Sequence, residues 1–141
     1  MDDKMITRIE ELGIVPVVKL SRADDAVPLA KALIAGGLPV AEVTFRTAAA
    51  EESIRRMAEA FPEMLVGAGT VLSIEQVERA IGAGAKFIVT PGFNPRVVSY
   101  CVEHDIPIFP GCPTTSDIEQ ALELGLKVVK FFPAEQSGGI V

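Results

Sequence analysis

Residues 127–133 read Lys127-Val128-Val129-Lys130-Phe131-Phe132-Pro133. This short apolar run is partly β-branched and lies between Gly125 and Pro133, a pattern that predicts a buried β-strand. A lysine inside such a strand is costly, because an unpaired ammonium loses its hydration there. The usual relief is a lowered amine pKa, and a neutral amine attacks ketones. Lys130 is therefore a candidate Schiff-base lysine, unless its ammonium extends to the strand end or pairs with a carboxylate.

Similar apolar runs recur upstream and alternate with helical patterns. The strands are apolar on both faces, which is typical of a parallel sheet covered by helices. The predicted strands are residues 14–18, 40–45, 64–66, 86–90, 106–109 and 127–133. The predicted helices are residues 5–12, 24–35, 49–60, 73 to 82 or 84, 94–103 and 116–124.

Capping residues indicate where several helices begin. Ser73 with Gln76, and Ser116 with Glu119, have the spacing of a capping box. Asn94 is followed by a proline, which suits the first position of a helix. These signals separate the helices from the strands that precede them.

Two architectures fit this strand–helix repeat, a (β/α)8 TIM barrel and an open doubly wound sheet. A dinucleotide-binding Rossmann domain is disfavoured, because no Gly-x-Gly-x-x-Gly follows the first strand. A flavodoxin-like binding module predicts a phosphate-binding turn there, and Lys19-Leu20-Ser21-Arg22 is a poor match. The repeat therefore predicts one α/β domain over residues 1–141.

Composition narrows the class of protein. The 141 residues are 49% hydrophobic and 23% charged, as in an ordinary soluble domain. A net charge of −6 without a basic cluster argues against nucleic-acid binding. The sequence contains neither a membrane-span pattern nor a signal-peptide pattern, and its two cysteines fit neither a zinc motif nor a disulfide framework. We expect a cytoplasmic protein without nucleic-acid or membrane partners.

The ends of the predicted strands separate structural lysines from candidate functional ones. In parallel βα folds, chemistry lies at the carboxyl ends of the strands. Lys86 and Lys127 open their strands and are interpreted as structural, whereas Lys19 and Lys130 lie towards the carboxyl ends. The same edge is predicted to hold Arg46, Thr70, Thr90-Pro91 and Pro110-Gly111.

Glu42 lies inside the second predicted strand. A carboxylate there needs a partner or a raised pKa, and either suits a general acid/base. The alternative is a purely structural ion pair between Glu42 and Lys130. A buried lysine and a buried glutamate at the same end of the sheet are the two side chains that Schiff-base aldol chemistry needs at minimum, a nucleophile and a general acid/base.

Four motifs now resemble a known family. They are Glu42-Val43-Thr44-Phe45-Arg46-Thr47, Gly67-Ala68-Gly69-Thr70-Val71, Pro91-Gly92 and Lys130-Phe131-Phe132-Pro133-Ala134-Glu135. In this order they are similar to 2-keto-3-deoxy-6-phosphogluconate aldolase, over essentially all 141 residues. The resemblance implies a TIM-type barrel and a class I aldolase that needs no metal or other cofactor. It also implies a small-molecule 2-keto acid substrate and a homo-oligomer, which is a trimer for full-length members.

The resemblance also implies residue roles. Lys130 matches the Schiff-base lysine and Glu42 the general acid/base. Arg46 and Thr70 match residues that hold the carboxylate of the pyruvate half. Pro91 and Phe132 match pocket-lining residues, and Lys19 lies near the position of a pocket-side basic residue. The implied reaction cleaves the substrate to pyruvate and glyceraldehyde 3-phosphate, with 4-hydroxy-2-oxoglutarate as a further substrate.

The sequence departs from the family at its carboxyl end. A whole barrel has eight strands and typically ~250 residues, so about three-quarters of one is expected here, in roughly six βα units. The seventh and eighth units, whose loops commonly supply the phosphate site, are not represented. A truncated or incompletely represented chain is expected, and its open edges favour self-association. The alternatives are a catalytically silent partial barrel that self-associates and an aldolase for the phosphogalactonate epimer.

Overall fold

Helices alternate with parallel strands in the computed structural model, which describes residues 3–140. The helices are α1 (Asp3–Leu12), α2 (Ala26–Ala35), α3 (Ala50–Ala60), α4 (Ile74–Ala83), α5 (Pro95–Glu103) and α6 (Thr115–Glu123), with a 3-10 turn at Ala23–Asp25. The strands are β1 (Val17–Val18), β2 (Val40–Thr44), β3 (Leu65–Gly69), β4 (Ile88–Thr90) and β5 (Ile108–Pro110). Within residues 3–140, no helix is long and apolar enough to cross a membrane.

The strands neighbour one another in chain order, β1-β2-β3-β4-β5, and every pair is parallel. A doubly wound sheet would instead reverse its strand order at a switch point. Sequential order is the topology of a TIM-type barrel. Of the two predicted architectures, the structure therefore selects the barrel type, of which these residues form part.

The sheet separates two apolar clusters. On one face, strand residues such as Ala41, Val43 and Ile88 pack with α2 to α5 in the larger cluster. On the other face, a smaller cluster contains buried Val40, Leu65, Phe87, Val89 and Phe109, with partly buried residues of α1 packed against it. Strand residues buried on both faces explain why the runs are continuously apolar. The second face is the interior side of the barrel, where the candidate site lies.

The prediction of a buried strand over residues 127–133 is wrong in the described structure. Only Lys130 bridges to the sheet, opposite Gly111, and Phe131 is 47% exposed. The first strand is likewise shorter than predicted, and its Val17 is 58% exposed. Both segments lie at the outer edges of the sheet and have a neighbouring strand on one side alone within residues 3–140. Each segment therefore has backbone hydrogen bonds to a neighbouring strand on one side and none on the other within the described residues.

The helix starts agree with the capping prediction in two cases and differ in one. Asn94 accepts a bond from the Arg96 amide, and Ser73 accepts one from the Gln76 amide. The predicted capping box at Ser73 is only half formed, because the Gln76 side chain accepts from the Leu72 amide and not from that of Ser73. Residue 116 is not the cap of α6, contrary to prediction. Thr114 holds that position in extended conformation, and Asp117 completes a capping box with it. The helix therefore begins before the predicted cap, which lies inside its first turn.

We expect Thr114→Ala to lower the free energy of unfolding by about 1 kcal/mol, because it removes the side-chain cap of α6. Its hydroxyl accepts from the Asp117 amide at 3.2 Å and donates to the Asp117 carboxylate at 2.6 Å. The matched control is Ser116→Ala, which should change stability little because that side chain lies beyond the cap. Urea unfolding followed by circular dichroism measures both. Equal losses in the two variants would contradict this assignment of the cap.

Candidate active site

Glu42 occupies the centre of β2, a strand in which all five residues are buried. It faces the interior side of the barrel, and its side chain is 6% exposed. Burial raises the pKa of Glu42, because the charged carboxylate loses hydration, and the nearby Lys130 ammonium opposes this effect. The Glu42 carboxyl therefore keeps its proton to a higher pH than an ordinary glutamate does, which suits a general acid/base.

Lys130 is fixed by its backbone at the edge of the sheet. Its amide donates to the Pro110 carbonyl at 2.9 Å, and its carbonyl accepts from the Cys112 amide at 2.8 Å. The ammonium lies 3.9 Å from Oε1 of Glu42, and the lysine side chain is 27% exposed. The predicted pair is therefore present, with its basic member reachable from solvent.

Phe132 contacts the ammonium of Lys130. The ring centroid lies 4.6 Å from Nζ, within the range of a cation–π contact. The predicted pocket-lining aromatic is thus adjacent to the candidate nucleophile, although 41% of Phe132 is exposed. Its ring and the Glu42 carboxylate together restrict where the amine can point.

A cavity of about 320 Å³ opens on the interior side of the sheet beside this pair. Its lining consists of Ile9, Val15, Val17, Glu42, Phe87, Val89, Phe109, Val128, Val129 and Lys130. Among these described lining residues, Glu42 and Lys130 are the only ionisable ones. An apolar surround strengthens electrostatic interactions between such groups and any polar ligand held near them.

The remaining predicted binding residues follow the strands at one edge. Lys19 comes after β1, Arg46 after β2, Thr70 after β3 and Pro91 after β4. Parallel register places these positions at the carboxyl ends of adjacent strands. Within residues 3–140, neither cation forms an ion pair, and no hydrogen bond or ion pair joins any of the four side chains to Glu42 or Lys130. The structure therefore brings them to the predicted edge without joining them to the pair.

Thr70 has an unusual backbone conformation. Its φ of +54° lies in the left-handed region, which β-branched residues rarely adopt. Strained backbone of this kind occurs most often at functional sites. This conformation is compatible with a binding role for Thr70. The sequence pattern did not predict a positive φ at this residue.

Other potential nucleophiles and ligands are poorly suited to chemistry. Burial raises the pKa of Cys101 to about 12, and burial also raises the pKa of Cys112, so neither thiol ionises readily. Lys86 donates to the Pro62 carbonyl, and Lys127 pairs with Asp3 at 2.8 Å, as expected of structural lysines. No group of three or more His, Cys, Asp or Glu side chains in the described range could hold a metal ion.

Sequence reasoning missed two glycines that shape the site. A Cβ atom on Gly67 would lie 2.3 Å from the Phe87 ring, and one on Gly69 would lie 2.0 Å from Oε1 of Glu42. Both glycines therefore leave space that neighbouring side chains occupy. The predicted strand ended at residue 66, whereas β3 continues to Gly69, so the sequence did not place these glycines inside a strand, where a glycine often marks a close approach by another group.

Comparison with known proteins identifies the family. The family model for KDPG and KHG aldolase matches residues 5–141. The 2-dehydro-3-deoxy-phosphogluconate aldolase of Treponema pallidum (strain Nichols) is 54% identical over 131 residues, covering 93% of this chain and 62% of the relative. The enzyme of that name from Haemophilus influenzae is 50% identical over 137 residues, covering 97% and 65%.

A solved structure agrees in both fold and sequence. KDPG aldolase from Legionella pneumophila, with pyruvate captured at low pH as a covalent carbinolamine intermediate, has a TM-score of 0.86 and 39% identity. The match covers 89% of this chain and 61% of that one. The chain thus spans less than two thirds of the length of these relatives. Sequence and fold agree over nearly the whole chain, and it belongs to the KDPG and KHG aldolase family, a family of enzymes.

Proposed function

We propose that this chain carries the catalytic pair of a class I aldolase that cleaves 2-keto-3-deoxy-6-phosphogluconate. The observation that carries the proposal is the 3.9 Å separation between the partly exposed Lys130 ammonium and the buried Glu42 carboxyl. A lysine amine supplies the nucleophile and a carboxyl of raised pKa supplies the proton acceptor and donor. The pair lies beside an apolar cavity on the interior side of the sheet, and Lys130 bridges to Gly111, just past the carboxyl end of β5, the end at which barrel enzymes act.

The reaction proceeds through a covalent lysine intermediate. The neutral amine of Lys130 attacks the C2 ketone to form a carbinolamine, and loss of water leaves an iminium. Glu42, directly or through a water, takes the proton of the C4 hydroxyl, and the C3–C4 bond breaks. Its electrons move into the iminium, which releases glyceraldehyde 3-phosphate and leaves an enamine. Protonation at C3 and hydrolysis then free pyruvate and restore the lysine.

The edge residues are proposed to bind the pyruvate half. The guanidinium of Arg46 offers two parallel donors to a carboxylate, and Thr70 adds a hydroxyl. Pro91 and Phe132 limit the pocket, and Lys19 contributes positive charge. The Legionella pneumophila enzyme, in which pyruvate was captured as a covalent carbinolamine, supports the covalent route proposed for Lys130. The substrate range extends to 4-hydroxy-2-oxoglutarate in line with the family description.

A second candidate function follows from the open edges of the sheet. Exposed Val17 and Phe131 leave apolar surface beside unpaired strand backbone, which favours association with further copies. In this alternative the chain is a catalytically silent partial barrel that self-associates. Homo-oligomerisation is compatible with either candidate, so the chemistry of Lys130 decides between them.

Borohydride trapping tests the proposal. The chain is incubated with pyruvate and sodium borohydride, and peptide mass mapping should locate a reduced pyruvate adduct on Lys130. Lys130→Arg should abolish the adduct, whereas the exposed surface variant Lys31→Met should retain it. No adduct in the folded wild-type chain, or an adduct elsewhere, would reject Lys130 as the nucleophile and favour the silent partial barrel.

A further inference from the structure

Two successive inward-facing positions of β3 are glycines, Gly67 and Gly69. Gly67 pairs in register with Glu42, and Gly69 pairs with Thr44. The Phe87 ring occupies the space beside Gly67. The Glu42 side chain occupies the space beside Gly69, where a Cβ would lie 2.0, 2.6 and 2.7 Å from its Oε1, Cδ and Cγ.

This placement shifts the Glu42 carboxyl along the sheet. The residue is level with Gly67, yet its carboxyl lies against Gly69, a diagonal neighbour two positions nearer the carboxyl ends of the strands. Two residues of strand correspond to about 7 Å of rise. That direction leads towards the edge where Lys130 bridges to Gly111. A straight side chain opposite Gly67 would leave the carboxyl deeper in the interior.

We propose that Gly69 is a positioning residue, whose missing side chain provides the space that directs the Glu42 carboxyl towards Lys130. The inference rests on the proposed function for its catalytic meaning. Gly69 itself touches no reacting atom, and it acts through Glu42. Its role is distinct from that of Gly67, whose space is filled by a packed aromatic ring.

The local geometry predicts that Gly69→Ala will fold. The backbone of Gly69 does not lie in the left-handed region, so alanine is compatible with its conformation. The atoms that an added methyl would meet are Oε1, Cδ and Cγ of Glu42, all beyond Cβ, so rotation about the χ1 bond of that side chain can move them aside. At Gly67 the obstacle is instead the buried Phe87 ring, so Gly67→Ala should chiefly lower stability.

A titration experiment tests the positioning without requiring activity. The Glu42 carboxyl signal is followed by carbon NMR over a pH series and assigned with Glu42→Gln. In the wild-type background, Lys130→Met should raise the midpoint, because the ammonium lowers the pKa of Glu42. In the Gly69→Ala background, the same substitution should leave the midpoint unchanged. An equal rise in both backgrounds would overturn the proposal.

Borohydride trapping with pyruvate provides the functional readout. Gly69→Ala should slow adduct formation at least about tenfold, in keeping with the contribution of a positioned acid/base. The same substitution should have no further effect in a Glu42→Ala background, where no carboxyl competes for the space. Gly82→Ala, at a helix position with open space around it, is the control and should trap at the wild-type rate.

The outcomes separate this proposal from the proposed function. If the wild type forms no adduct, the aldolase proposal fails, and the NMR coupling alone decides the role of Gly69. A wild-type trapping rate in Gly69→Ala, or a full additional loss in the Glu42→Ala background, would overturn the positioning role. If Gly69→Ala unfolds, recovery of folding by Glu42→Ala supports competition for one space, and failure to recover rejects it.

Discussion

Replacement of Phe87 by alanine will lower the free energy of unfolding by about 3–5 kcal/mol. Phe87 is 1% exposed, and its ring fills the space that Gly67 leaves on β3. The ring also meets Phe109 edge-on, with centroids 6.0 Å apart and an interplanar angle of 70°. Domains of this size are stable by only about 5–15 kcal/mol, so the loss is a large fraction of the total.

Urea unfolding monitored by circular dichroism measures the effect. Phe131→Ala is the matched control, because it removes the same ring from a residue that is 47% exposed. Its loss should be about 1 kcal/mol or less, as is usual for surface substitutions. Equal losses in the two variants would show that the interior side of the sheet is not packed around Phe87.

The inner strands of the sheet could be predicted from sequence because both of their faces are buried. Residues 40–45, 86–90 and 106–109 are mainly apolar on both faces, and each overlaps an observed strand. The same pattern failed at residues 127–133, although its composition is equally strand-like. Composition reports a preference for burial, whereas a strand also needs neighbours whose backbone completes its hydrogen bonds. That information lies in other parts of a fold and is not local to the segment.

The candidate site was predictable in its chemistry and only partly in its geometry. Charged residues inside apolar runs singled out Glu42 and Lys130, and the family resemblance added Phe132 as a pocket-lining residue. The separation of 3.9 Å could not be derived, because it depends on strand order and on the lean of the glutamate. The space beside Gly69 determines that lean, and neither its depth nor its occupant is encoded in the local pattern.

At 3.9 Å, Nζ of Lys130 and Oε1 of Glu42 attract each other electrostatically but are too far apart for a hydrogen bond. Burial raises the pKa of Glu42, and the ammonium acts in the opposite direction with the smaller effect. Because desolvation outweighs the ammonium, the Glu42 carboxyl keeps its proton to a higher pH than an ordinary glutamate, which suits proton exchange.

Glu42→Gln is expected to separate the electrostatic role of Glu42 from its packing role. The ordinary pKa of this carboxyl is 4.5, and burial raises the folded value above that. Between the two values the folded chain retains a proton that the unfolded chain has lost, so the stability of the wild type falls as pH rises. Glutamine has no such proton. The variant should therefore gain stability relative to wild type as pH increases above 4.5.

The same substitution should slow pyruvate trapping by about 10²–10⁴-fold, because an amide can neither accept nor return the proton. Urea unfolding at a series of pH values and borohydride trapping at neutral pH measure the two effects. Glu63→Gln removes an equal charge from an exposed position and controls for the change in net charge.

Lys130→Met is the complementary variant. Its free energy of unfolding should fall more steeply with rising pH than that of the wild type, because the ammonium that lowers the pKa of Glu42 is gone.

Two results would contradict this account of Glu42. A stability difference between Glu42→Gln and wild type that is constant from below pH 4.5 to neutrality would show that burial does not disfavour the carboxylate. An unchanged trapping rate in a folded Glu42→Gln chain would show that the carboxyl does not transfer a proton during adduct formation. The first result would make the 3.9 Å pair an ordinary ion pair, and the second would leave Lys130 to react without it.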